Sequence, residues 1–174
     1  MYTIGIVESG AGLSSFLKDC LPDSLRPQIT LVPAADLPDD VPADLLVISP
    51  DLREKRVYPT ACQALLVPGR LSPLAGNIPA RWAVSYGNSP RDSLTLSTLG
   101  DNTIGLALQR EVVTLEGDCL DCQEILLPRE GHTAPFHVLA CAGIQLLLGI
   151  PPEEVSVLPR TLPCAGEPGE NTAL

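Results

Sequence analysis

The chain has 174 residues, enough for one domain with a sizeable core and too few for two. Apolar residues make up 45% and charged residues 18%, the balance of a globular protein, while aromatics at 3% leave the core to Leu, Val, Ile and Ala and argue against a platform of stacked rings for bases or sugars. A net charge of -10 repels phosphate backbones and anionic bilayers, so neither nucleic acid nor a membrane surface is an expected partner.

The first unit runs from Tyr2 to Leu21, YTIGIVESGAGLSSFLKDCL. Ile4, Ile6 and Val7 form a short β-branched run, Gly10 and Gly12 permit a tight turn, and Ser14, Ser15, Phe16 and Leu17 continue in helical phase. This is the strand, turn and helix that open doubly wound α/β domains. Gln28 to Val32, with its run of Ile29 to Val32, predicts a second strand, and Leu45 to Ser49, LLVIS, a third of the kind buried on both faces of a parallel sheet. Between them lies the acidic, proline-rich DLPDDVPAD, Asp36 to Asp44. Ala64 to Val67 predicts a fourth strand, Ser72 to Gly76 a short helix, and Arg81 to Tyr86, RWAVSY, a fifth strand ending at the Gly87-Asn88 turn signal.

From Ser93 the pattern changes to period two. Leu94 to Thr98, Thr103 to Gln109, Val112 to Leu115 and Cys122 to Leu127 predict an antiparallel meander or a pair of hairpins. A helix is predicted from Ala134 or Pro135 to Leu148, with Thr133 as N-cap and Gly149 at its C-terminal end. It is apolar nearly all round, which predicts burial against the sheet. A further helical turn is expected at Pro151 to Glu154. The expected organisation is one α/β domain over 1–158, a mostly parallel doubly wound sheet with an antiparallel β-meander, and a flexible tail over 159–174.

MYTIGIVES has no basic segment before its apolar run, and Val138 to Ile150 is short and interrupted by Gln145. Neither a signal peptide nor a membrane span is expected, and the six irregularly spaced cysteines do not form a disulfide framework. A cytoplasmic location is the expectation.

Four sets of residues carry candidate chemistry. The turn from Ser9 to Ser15 could cradle a phosphate on free helix amides, through Ser9, Gly10, Gly12 and Ser14, or be a plain β-α connection. The position after Gly12, where a phosphate-binding loop carries its lysine, is Leu13. Cys119 and Cys122 in GDCLDC have CxxC spacing, but a zinc site needs four ligands and no second pair lies near in sequence, so hairpin residues are the competing reading. His132 and His137 are five apart and do not share a helix face, which favours structural histidines over a catalytic dyad. Asp39, Asp40, Asp44 and Asp51 could hold a divalent ion or be solvated loop acids.

Residues 82–155 resemble the central, ATP-binding domain of the Mur ligases, the amide-forming enzymes of peptidoglycan synthesis whose family includes folylpolyglutamate synthase. WAVSYGNSPRDSLTLSTL is similar to the family's strand and turn V-x-Y-G-x-S-x-x-x-D. GLALQREVVTLEGDCLDCQEILLPREGH resembles its hairpin and L-P-x-x-G-x-H-N segment, and FHVLACAGIQLLLGIPPEEV its following helix. IGIVESGAGLSS lies where the family has G-T-N-G-K-T-T, and ADLLVISPDL where it has a strand and D-H-x-D. The departures fall on chemistry: Leu13 replaces the lysine, LVPAAD lacks the magnesium-holding glutamate, Leu52 follows the matched Asp51, and His137 stands near the family's base-contacting Asn. The partner substrate and ligase domains are not found in the chain.

The resemblance therefore implies a non-catalytic Mur ligase-like binding or interaction module, linked to cell-wall metabolism, without cofactor and acting with a protein partner. The alternative it implies is a nucleotide- or UDP-sugar-binding subunit of an ATP-dependent ligase, using ATP and magnesium through Ser9, Gly10, Gly12, Ser14 and His137.

Overall fold

A computed structural model describes residues 1–36, 42–53, 61–130 and 132–159. It is an α/β structure built on one mixed sheet of eight strands, mostly parallel, with a second sheet of two. Strand β1 (Tyr2–Val7) leads into helix α1 (Gly12–Cys20), β2 (Ile29–Pro33) and β3 (Ala43–Ile48). Strand β4 (Cys62–Pro68), the short helix α2 (Ser72–Ala75) and β5 (Ala80–Gly87) follow. Then come β6 (Leu94–Leu99), β7 (Thr103–Leu108), the two-residue strands β8 (Val112–Val113) and β9 (Cys119–Leu120), β10 (Gln123–Pro128) and helix α3 (Pro135–Leu147). The sheet order is β10-β7-β6-β5-β4-β3-β1-β2.

The central strands are buried on both faces, which is why they read as continuous apolar runs rather than alternating ones. Ile4, Ile6, Leu45, Val47, Ala64 and Leu66 join the core that also contains Leu13 and Leu17 of α1 and Val138 to Leu147 of α3, while Val7, Leu46, Ile48, Leu65 and Val67 face a second core completed by Leu52 and Ile78. Every residue from Val138 to Leu147 is buried. Gln145 alone among these ten has a polar side chain of full hydrogen-bonding capacity, and its amide donates to the Ser156 carbonyl (2.6 Å) while its oxygen accepts the Ser156 N–H (3.1 Å). Each large aliphatic side chain so covered contributes about 1.5–3 kcal/mol against exposure, so α3 holds the sheet by burial rather than by capping. Its N-cap is Ala134 with no side-chain cap bond, and not the expected Thr133. At its other end Gly149 takes φ +84, the left-handed conformation that suits glycine after a helix.

The period-two segment is placed differently from a free-standing meander. Strand β6 joins β5 in parallel, through Tyr86↔Leu94 and Gly87↔Thr95, before pairing antiparallel with β7, and β10 pairs with β7. Parallel neighbours usually need a crossover of about a dozen residues. Here the 88–93 connection suffices because β6 overlaps only the last two residues of β5 and runs on past its end. Of the strand predicted over Val112 to Leu115 only Val112–Val113 is a strand, paired with Cys119–Leu120 in a separate small sheet. The turn predicted at Pro151 to Glu154 is a short 3-10 helix, Pro152–Glu154. Of the expected tail, 160–174 lie outside the described residues. No helix among the described residues is long and apolar enough to cross a membrane.

Candidate functional site

Chain order reverses at β1, which has β2 on one side and β3 on the other. In open α/β sheets such a reversal leaves a crevice at the carboxyl ends of the strands, where the connections diverge to opposite faces. The loops after β1, β3, β4 and β5 and the first turn of α3 meet at this end of the sheet.

After β1 the chain turns at Gly10, whose φ of +103 strongly favours glycine, and enters α1 at Gly12. The free amides expected to cradle a phosphate already hold an anion of this chain: Glu8 Oε2 accepts the N–H groups of Leu13 (3.0 Å) and Ser14 (3.2 Å). A carboxylate there satisfies orphan donors and lies at the positive end of the helix dipole. Leu13 is fully buried in the core, so the side chain at the lysine position points away from the crevice. The Ser14 hydroxyl donates to the Ala11 carbonyl at 3.5 Å, and the Ser9 hydroxyl accepts the Arg53 N–H at 3.1 Å. That last bond stitches the loop after β1 to the loop after β3.

His137, in the first turn of α3, reaches across to the same place. Its Nε2 lies 2.6 Å from Asp51 Oδ2, and its ring covers Gly12, where an added Cβ would sit 3.5 Å from His137 Cε1. The ring also lies 5.8 Å from that of Phe16 on α1. Of the candidates, Gly12 lies under the His137 ring, Ser9 bonds to the loop after β3, and Asp51 is the histidine's partner. The structure adds Glu8, which sequence reasoning missed. Its one signal in the sequence was a carboxylate ending the strand just before a helix start.

The other acidic candidates do not converge on Asp51. Asp44 accepts the Thr3 N–H at 2.7 Å near the start of β3, at the opposite end of the strand, and Asp39 and Asp40 lie outside the described residues. Among the described residues no three His, Cys, Asp or Glu side chains are grouped to hold a metal ion. Cys119 and Cys122 are exposed, whereas Cys20, Cys62 and Cys141 are buried; Cys164 lies outside the described residues.

Beyond Pro50 the crevice widens into a cleft of about 730 Å³ over the ends of β4 and β5. The buried Tyr86 forms part of its floor and donates its hydroxyl to the Ile48 carbonyl at 2.7 Å. Burial pushes this phenol well above its usual value, Asp51 adds to the shift and Arg70 opposes it, so it serves as a neutral donor.

Comparison with family models, with curated proteins and with solved structures returned no match. The functional reading therefore rests on the crevice itself. It contains a self-occupied helix start, an Asp–His pair to which no described Ser or Cys side chain hydrogen-bonds, and an open cleft beside them.

Proposed function

We propose that the chain is a Mur ligase-like module that binds rather than ligates, a non-catalytic partner protein in cell-wall metabolism. The observation that carries this reading is Glu8: its carboxylate takes the amides on which a nucleotide's terminal phosphates would have to lie. A phosphoryl group entering there would have to displace a bonded anion and would meet no lysine, because Leu13 is in the core. The order of elements is also what the resemblance implies, with parallel strands followed by antiparallel β7 and β10 and then a helix buried on the sheet. Asp51, in the place of the family's metal-binding segment, is paired with His137.

The test is thermal unfolding with ATP, ADP and UDP-sugars, each with magnesium, for the native chain and for Gly12→Val. A ligand that binds the folded state at about 100 times its Kd adds about 2.7 kcal/mol, a shift easily read in a melt. The expected result is no shift that depends on Gly12. An increase in Tm with ATP that Gly12→Val abolishes would replace this reading by the nucleotide-binding subunit, with its cation supplied by another chain.

A further inference from the structure

In a chain of net charge -10 the cleft beyond Pro50 gathers two arginines, Arg70 and Arg91, with the Asn88 amide and the Ser89 hydroxyl. Arg70 is held in place because its guanidinium donates to the Pro50 carbonyl. Arg91 is held by its backbone: its N–H donates to Ser89 Oγ (3.2 Å) and its carbonyl accepts from the Arg110 guanidinium (2.8 Å). Among the described residues the Arg91 guanidinium itself has no hydrogen-bond or ion-pair partner. A planar fork of five donors left unpaired at a cleft wall is matched to an oxyanion.

The loop that presents Arg91 is built to be rigid. Asp92, only 5% exposed, accepts the Ser89 N–H on Oδ2 at 3.1 Å. It occupies space cleared by two glycines: a Cβ at Gly69 would lie 1.9 Å from Asp92 Oδ1, and one at Gly87 2.5 Å from Oδ2. Neither glycine has a positive φ, so what these positions require is the missing side chain. Phe136, which also lines the cleft, is 38% exposed, an uncommon placement for one of the two phenylalanines of the chain.

We propose that this cleft binds a small organic oxyanion, a phosphorylated or carboxylated metabolite, with its anionic group on Arg91 and Arg70 and its carbon skeleton against Phe136. The cavity is within the size range of small-molecule sites and combines an apolar wall with a few fixed polar groups. This inference goes beyond the family reading and does not rest on it, because the cleft lies past Pro50 and uses none of the glycine turn.

The test is isothermal titration of the full chain at low salt with inorganic phosphate, ribose 5-phosphate and malonate. The expected result is saturable binding of at least one probe, with phosphate or malonate as the preferred anion identifying the class. Arg91→Ala, a change at an exposed side chain, is expected to weaken it at least about tenfold, about 1.4 kcal/mol. Arg70→Lys, which keeps the charge but removes the fork, should weaken it as well, and Gly12→Val should leave it unchanged. Absence of binding by all three probes, binding indifferent to both arginine variants, or binding lost in Gly12→Val would each overturn the proposal. Loss in Gly12→Val alone would also count against the reading of the glycine turn as closed, whereas failure of the arginine variants would not touch it.

Discussion

Glu8 Oε2 accepts the N–H groups of Leu13 and Ser14 at the start of α1. Helix starts need acceptors for their first amides, and Glu8, just after the strand and five residues before Leu13, supplies one from the chain itself. Glu8→Ala leaves the Leu13 and Ser14 amides to water and is expected to cost about 1 kcal/mol in urea unfolding, the usual value of a lost helix cap. The cysteines give a second prediction at this scale. Burial raises the thiols of Cys20 and Cys62 from 9.0 to about 11 and that of Cys141 to about 12. Unfolded thiols ionise near 9.0, so above that pH the unfolded chain releases protons that the folded chain keeps. The stability from these thiols is complete below about pH 9 and declines as the pH climbs toward 11 and 12. In an alkylation assay on native protein at pH 8, Cys119 and Cys122 are expected to react at once, and Cys20, Cys62 and Cys141 at a rate set by unfolding.

At the scale of elements, the 88–93 connection is a tight polar loop, unlike the β1–β2 and β4–β5 links, which carry α1 and α2. Its conformation depends on Asp92, and Asp92 depends on the missing side chains of Gly69 and Gly87. Gly69→Ala is expected to push Asp92 out of its seat at a cost of about 1–3 kcal/mol, the range for forced overpacking, and to speed amide exchange at Ser89, whose N–H loses its acceptor. A shift in Tm without faster exchange at Ser89 would mean that the loop is held by something else. The same loop was legible in the sequence only as a turn signal at Gly87-Asn88. Which carboxylate it folds around was not, because Asp92 meets Gly69 through the neighbouring strand β4. Similarly, the burial of α3 followed from its nearly unbroken apolar residues, but the capping residue did not. Thr133 and Ala134 are adjacent, and the local preference for a hydroxyl at the cap is worth only about 1 kcal/mol against the packing of ten buried residues.

Across the whole molecule, the ligand experiments above test the carboxyl end of the sheet as the working surface, and they separate its two halves: Gly12→Val reports on the helix start, Arg91→Ala on the open cleft. Leu126, 67% exposed, lies on the edge strand β10, and Leu99, 51% exposed, ends β6. By itself the sequence determined the α/β class, the strands β1 to β5, the glycine turn and the buried last helix, because these depend on periodicity, β-branched runs and turn residues that act over a few neighbours. The turn residues Ser9, Gly10, Gly12 and Ser14 were candidates from the sequence, and the resemblance added His137. Only the tertiary structure decided that β6 continues the parallel sheet, that Asp51 pairs with His137 across 86 positions of chain, and that Arg70 and Arg91 share a cleft. Those outcomes depend on which strands lie side by side. That arrangement is settled by the packing of the sheet's two cores and has no local signature in the chain.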